Sequence, residues 1–265
     1  MDVPCSRARH PGLLARAASL AAVFLVLASH VSSAQAPATA RDIVDHVDRL
    51  LRGESSVGRL VMEIETANWS RHLELEVWSR GRKHALIRVL SPRSEAGTAT
   101  LMVEEQVWNY LPRADRTIKI PPSLMVGSWM GSHFTNDDLV KESQLIDDYD
   151  IEIAFEGDRD GVEVWEFELI PKPEVAVVWS RLEYQVRKGD MMPTWARYYD
   201  EDGAVARSLQ FSDFEVMGGR LVPSVMQILP ADKPEESTVV RYESIEFDIG
   251  LSTDFFSLRN LRTAP

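Results

Sequence analysis

Thiols are all but missing from this chain of 265 residues. Its one cysteine, Cys5, excludes an intramolecular disulfide and a cysteine-ligated metal centre. Cys5 also stands ahead of the apolar run 17–28, not after it, where the lipid-bearing residue of a lipoprotein signal would be. Long apolar runs are missing too. Residues 17–28 fall short of the roughly 20 needed to span a bilayer. Arg7, Arg9 and Arg16 ahead of that run, and the small residues Ser32-Ser33-Ala34 behind it, read as an export signal. We expect residues 1–34 to be a signal peptide cleaved after Ala34, with Ala36 as the next site. Residues 35–265 are then a single exported domain, without its cysteine and without a transmembrane helix.

Positive charge is scarce. The chain carries 29 Lys+Arg against 41 Asp+Glu, a net charge of −12. Removing residues 1–34 takes away three arginines and one aspartate, which leaves 26 against 40 and a net charge of −14. A field of that sign repels nucleic acid and disfavours lying flat on anionic lipid. Linker sequence is equally scarce. No Pro/Gly/Ser-rich stretch divides residues 35–265, so this length is expected to fold around one core.

Patterns for catalysis and metal binding are absent. A nucleophile elbow needs Gly-x-Ser-x-Gly, whereas Gly127-Ser128-Trp129-Met130-Gly131 carries its serine one position early. His46, His72, His84 and His133 contain no His-x-His or His-x-x-x-His pair. Asp147-Asp148-Tyr149-Asp150 lacks the glycine and terminal glutamate of a calcium loop, and reads as a solvated acidic turn. No catalytic residue, metal site or cofactor is expected.

What is present is short-period apolar patterning. Thr39 and Asp42 make a capping-box-like start. Ile43, Val47, Leu50 and Leu51 form one stripe, and Gly53 ends an amphipathic helix that has to lie on something. From Val57 onward, alternating runs are separated by turn residues, the mark of antiparallel strands. We read strands at 60–66, 72–79, 83–90, 99–103 and 106–111, and further on at 150–156, 162–171, 179–187, 193–199, 205–217, 221–229 and 237–248. A three-residue loop Arg80-Gly81-Arg82 sets Leu73 opposite Val89, Leu75 opposite Ile87 and Val77 opposite Ala85. That register leaves His72, Glu74, Glu76, Trp78, His84 and Arg88 on the wetter face. A turn at Glu104-Glu105 pairs Leu101 with Trp108 and Ala99 with Tyr110, so both rings project from one side. Hairpin after hairpin, with no helical crossover, makes the sheet antiparallel.

Between the two strand sets the pattern breaks. Pro121, Pro122, Gly127 and Gly131 forbid a long regular element, yet Leu124, Met125, Trp129, Met130 and Phe134 are too apolar to sit together in water without purpose. A mobile apolar flap answers both demands. A short helix through Leu139 to Glu142, capped by Thr135 or Asn136, follows it. Methionine beside tryptophan suits a wall that re-packs around varied apolar shapes.

Several motifs here occur together: Tyr110-Leu111-Pro112 after Trp108, Ile120-Pro121-Pro122-Ser123, the run from Trp129-Met130-Gly131-Ser132 through Phe134-Thr135 to Asp137-Asp138-Leu139, and the closing Phe255-Phe256-Ser257-Leu258-Arg259-Asn260-Leu261. Together they resemble the lipoprotein-carrier (LolA-like) family of outer-membrane lipoprotein-sorting proteins. The resemblance implies a mainly β fold, a half-open antiparallel β-barrel of about eleven or more strands, with short helices covering an apolar cavity. It implies a non-enzymatic periplasmic carrier of a lipid, an acylated protein or another hydrophobic molecule between envelope membranes, working with an inner-membrane exporter of the RND type. The candidate ligand-binding residues are Trp108, Tyr110, Leu124, Met125, Trp129, Met130 and Phe134. The alternative is an envelope sensor or interaction module with the same half-barrel fold.

Overall fold

A computed structural model of the chain describes residues 39–141, 145–175 and 178–263. The expected signal peptide at 1–34 and its cleavage site lie outside the described residues, as does Glu142. Helix α1 (Ala40–Arg49) starts on Thr39, whose hydroxyl accepts the Asp42 N–H while the Asp42 carboxylate accepts the Thr39 N–H, the reciprocal pair that the spacing predicts. Its stripe of Ile43, Val44 and Val47 is buried.

Strands β1 (Ser55–Glu65), β2 (Ser70–Arg80), β3 (His84–Ser91), β4 (Ala99–Val103), β5 (Gln106–Leu111) and β6 (Arg116–Lys119) pair in chain order. So do β7 (Tyr149–Arg159), β8 (Val162–Pro171), β9 (Arg181–Arg187), β10 (Pro193–Tyr199), β11 (Val205–Met217), β12 (Arg220–Pro230) and β13 (Ser237–Phe247). Strand β13 returns to pair antiparallel with β1, which joins both runs into one open sheet of 13 strands. The free edges are β6 and β7. The connection between them is the segment that breaks the strand pattern in the sequence, and it carries α2 (Asp138–Lys141) and α3 (Leu145–Asp148). Thr135 starts α2, its Oγ1 accepting the Asp138 N–H at 3.1 Å.

The hairpins test the sequence reading closely. Leu101 faces Trp108 and Ala99 faces Tyr110, as expected. The β2–β3 loop has three residues, but they are Gly81-Arg82-Lys83, so Leu75 faces Val89 and Val77 faces Ile87. The pairing has slid by two positions, a shift that a period-2 pattern cannot detect because every side chain keeps its face. Strand β1 begins at Ser55 instead of Leu60: Ser56 lies opposite Ser79 and the two hydroxyls share a hydrogen bond of 2.8 Å, so polar residues continue the strand. At the turn after β9 the left-handed residue is Met191 (φ +60°).

Two surfaces expected to be wet are covered. The C-terminal stretch with α4 (Leu258–Arg262) lies on the outer face of β2–β4, where Trp78, Leu86, Leu101, Phe256 and Leu261 form a buried cluster. Arg88 is buried there because its guanidinium donates to the carbonyls of Asn260 (2.6 Å) and Thr263 (3.0 Å), the unpaired acceptors at the end of α4. His84 rests on Phe256, with ring centroids 5.5 Å apart. His72 alone of the two histidines is exposed, beside Glu63. Asp148, placed by the sequence reading in a solvated turn, is buried, and Asp147 pairs with Arg41 at 3.3 Å.

The inner face carries two apolar clusters. Under α1, Ile43 and Val47 meet Phe167, Leu182 and Leu209. Across β1–β3, Met62, Ile64, Leu73 and Leu75 form the second.

Candidate apolar binding site

Phe134 and Met226 pack against both inner clusters. Between the clusters and α1 lies a cavity of about 240 Å³. Strand alternation decides which side chains reach it: Met62, Leu75, Ile87 and Met102 point in from β1–β4, while Val47 and Leu51 close it from the helix side. The polar groups in the wall are few. Asp48 and Arg52 stand near the end of α1, Asp138 belongs to α2, and Ser56, Ser79, Thr100, Tyr184 and Tyr242 belong to strands. Burial raises the Asp48 carboxyl above the usual carboxylate range, with Arg52 the leading opposing influence.

The roof is a plug, the segment 127–136, from which Trp129 and Phe134 line the cavity. Trp129 N–H donates to the Phe134 carbonyl (2.7 Å) and Asn136 N–H to the Gly127 carbonyl (3.0 Å), closing a small loop. Ser128 donates to the Ser132 carbonyl (2.5 Å) and Ser132 to the Trp129 carbonyl (2.7 Å). These serines shape the loop and do not form a nucleophile-base pair with His133, whose Nδ1 lies 2.8 Å from Thr238 Oγ1 and whose Nε2 lies 3.1 Å from Glu236 Oε2. Trp129 is buried in the β1–β3 cluster, and its indole N–H donates to Thr100 Oγ1 at 3.1 Å, which in turn donates to Asn109 Oδ1 at 2.7 Å. That satisfies the polar edge of a ring whose body is in the core.

Side chains from distant strands fasten the plug. Arg71 of β2 donates to the Met130 carbonyl. Arg207 of β11 holds Asp138 with two hydrogen bonds of 2.6 Å and also donates to the His133 carbonyl at 3.1 Å. Both members of the Arg207–Asp138 pair are 5% exposed, and the guanidinium lies over the Tyr198 ring at 4.2 Å. The Glu236 carboxyl is held below the usual range, first by the hydrogen bond with His133 and then by the Ala67 N–H.

Of the seven sequence candidates, Trp129 and Phe134 line the cavity. Met130 packs against the β1–β3 cluster, and Met125 sits in a separate small cluster with Met102, Val107 and Val140. Leu124 is 57% exposed. Trp108 and Tyr110 lie on the outer face, packed with the C-terminal cluster, because they stand opposite Leu101 and Ala99 while Thr100 and Met102 are the inward residues of β4. The pairing was legible; the side of the sheet was not. Val47 and Leu51 were missed as wall residues, although the stripe on α1 was the signal for them.

Fold and site together define a class: an open antiparallel half-barrel whose apolar cavity is covered by helices and a hydrogen-bonded plug. A protein-family model described as an uncharacterized protein matches residues 81–263, and the chain belongs to that family. Among solved structures it is similar to a DUF1329 family protein from Desulfovibrio piger, with 24% identity, 84% of this chain and 97% of that chain covered, and a TM-score of 0.76. It is similar to a candidate outer membrane lipoprotein-sorting protein domain from Vibrio parahaemolyticus (22% identity, 84% and 98% covered, TM-score 0.72). A LolA superfamily protein from Nitrosomonas europaea shows 18% identity over 83% of this chain and 97% of its own, with a TM-score of 0.70. These likenesses establish a shared fold, the one that the sequence motifs imply. No curated protein matches the chain. Among the described residues, no group of three or more His, Cys, Asp or Glu is placed to hold a metal, and no helix is long and apolar enough to cross a membrane.

Proposed function

We propose that this protein is a non-enzymatic periplasmic binding protein that takes the acyl chain of a lipid or acylated protein into its cavity and carries it between envelope membranes. The observation that supports this reading most is the plug itself. Trp129 and Phe134 roof an apolar space while their ties to the sheet run through side chains that can let go. An acyl chain of about 15 methylenes gains roughly 12 kcal/mol gross on leaving water. A rigid cavity would hold such a chain too well to deliver it. A plug that refills the site on release offsets much of that gain and makes uptake and delivery a near-balanced exchange. In this reading Trp129 and Phe134 contact the ligand, Met125 and Met130 re-pack as the plug moves, and Trp108 and Tyr110 stiffen the wall from behind. An RND-type exporter in the inner membrane, the partner implied by the family resemblance, belongs to the same reading.

A second reading, an envelope interaction module, draws support from the fastening of the plug: contacts from β2, β11 and β13 favour a state closed to lipid. Native mass spectrometry of protein purified from its own periplasm separates the two. A stoichiometric lipid mass, with displacement of a fluorescent fatty-acid probe by long-chain lipid, supports the carrier. A co-purifying protein with no lipid and no probe uptake supports the module.

A further inference from the structure

From Gln106 to Asn136 the chain carries a single carboxylate, Asp115, against Arg113, Arg116 and Lys119, in a protein with 41 Asp+Glu. The Tyr110 hydroxyl donates to Asp115 at 3.1 Å. The three basic residues are exposed, and none has an ion-pair partner among the described residues, while Lys119 Nζ lies 5.6 Å from the centre of the Trp108 ring. Arg262 adds a fourth positive charge beside β6, its Nε donating to Thr117 Oγ1 at 3.0 Å. The same span holds the exposed apolar residues Leu111, Ile118, Leu124 and Val126, the last two 57% and 61% exposed. Exposed apolar residues gathered in one stretch mark an interaction surface, as singly scattered ones do not. Pro121 and Pro122 bring no N–H that would need a partner away from water.

We propose that β6 and the loop 121–126 form a membrane-docking element, which seats Leu124 and Val126 beneath the headgroups of an anionic leaflet while Arg113, Arg116 and Lys119 lie among the phosphates. A protein-binding hot spot would be expected to present Trp or Tyr anchors. This sheet edge presents aliphatic side chains beside Arg and Lys, with Leu111, Arg116 and Ile118 on one face of β5–β6 and Lys119 on the other, the composition of an interfacial anchor. The net charge of −14 on residues 35–265, from 26 Lys+Arg against 40 Asp+Glu, opposes adsorption of the molecule as a whole. Screening confines that opposition, since at physiological salt the Debye length is about 8 Å, so the local patch sets which face approaches. The docking loop is tied to the plug: the Asn136 amide donates to the Leu124 and Gly127 carbonyls at 3.1 Å each, and the Asp137 N–H to the Met125 carbonyl at 2.9 Å. Seating the loop in lipid therefore acts on the segment that roofs the cavity.

The proposal stands apart from what fills the cavity. Its test is co-sedimentation of the exported protein with vesicles of phosphatidylethanolamine and phosphatidylglycerol, with phosphatidylcholine vesicles as the neutral comparison. The protein is expected to prefer the anionic vesicles. The triple variant Arg113→Gln/Arg116→Gln/Lys119→Gln is expected to lower its partition coefficient about a hundredfold, near fivefold for each charge at roughly 1 kcal/mol apiece. Leu124→Glu/Val126→Glu is expected to lower it as well, with the melting midpoint kept because both side chains are exposed. Equal partition onto neutral and anionic vesicles, or wild-type partition by either folded variant, overturns the proposal. Probe displacement without vesicles reports on the cavity separately, so failure of one reading is distinguishable from failure of the other.

Discussion

Trp129 points inward because two left-handed residues follow it, Met130 at φ +53° and Gly131 at φ +76°. Glycine accepts that conformation freely and methionine does not, so Met130 stays there only because its surroundings hold it, Arg71 on its carbonyl among them. Trp129→Ala removes a side chain that is 5% exposed. It is expected to cost about 3 kcal/mol or more in chemical denaturation, while widening the cavity and raising uptake of a fluorescent fatty-acid probe. Lost stability with unchanged uptake would instead assign Trp129 to static core. The sequence announced Trp129 through its methionine and glycine neighbours. It did not announce Thr100 or Asn109 as the partners of the indole N–H, because a threonine inside a strand reads as ordinary β propensity. Trp108 and Tyr110 show the opposite limit: alternation put them on one face together, but only packing against Leu101, Phe256 and Leu261 says which face that is.

The plug is the element on which stability and function compete. Asp138→Asn leaves Arg207 buried without its carboxylate, and breaking such a pair costs roughly 3 to 5 kcal/mol. Because the pair ties the plug to β11, Trp129 fluorescence is expected to report plug release at a denaturant concentration below that of global unfolding. A single coincident transition would count against a separately opening plug. Acid acts on the neighbouring contact. Glu236 has a folded value below its ordinary one, so its contribution is full above the unfolded value of about 4.3 and is lost as pH falls through the lower folded value. The gap in melting midpoint between wild type and Glu236→Gln should therefore close as pH falls below about 4. A gap that grew as pH fell from about 4 to about 2 would refute the assigned sign. Neither contact was legible in advance. Asp138 with Arg207, and His133 with Glu236, are brought together by topology across the sheet, and no spacing in the chain points to them.

At the scale of the molecule, period-2 runs and turn residues disclosed the antiparallel sense and the strands other than β6, several with their observed bounds, since both signals are local, whereas the four residues of β6 are too few to show a period. The pairing of β13 with β1 was hidden: residues such as Val61 and Arg241 meet across most of the chain, and nothing nearby in sequence records it. That pairing leaves β6 and β7 as the edges and makes the segment between them the one link that has to cross the open side. Motion should follow the same division. The strands are laced by backbone ladders, whereas the backbone–backbone hydrogen bonds of residues 127–136 are local, between Trp129 and Phe134, Ser132 and Trp129, Asn136 and Gly127, and Gly127 and Leu124, and the His133 N–H reaches β13 at the Thr238 hydroxyl. Regions held to the fold by side chains open at lower free energy than ladders between central strands. Native-state hydrogen exchange is expected to show the amides of Trp129, Ser132 and Asn136 exchanging through an opening smaller than global unfolding, with those of β1 and β13 exchanging only at the global limit. Adding a fatty-acid probe should speed exchange in the plug it displaces and slow it in β1 and β13, whose inner side chains the ligand then covers. Equal protection of plug and sheet, with or without probe, would mean that the roof is part of the cooperative core and that the cavity opens by another route.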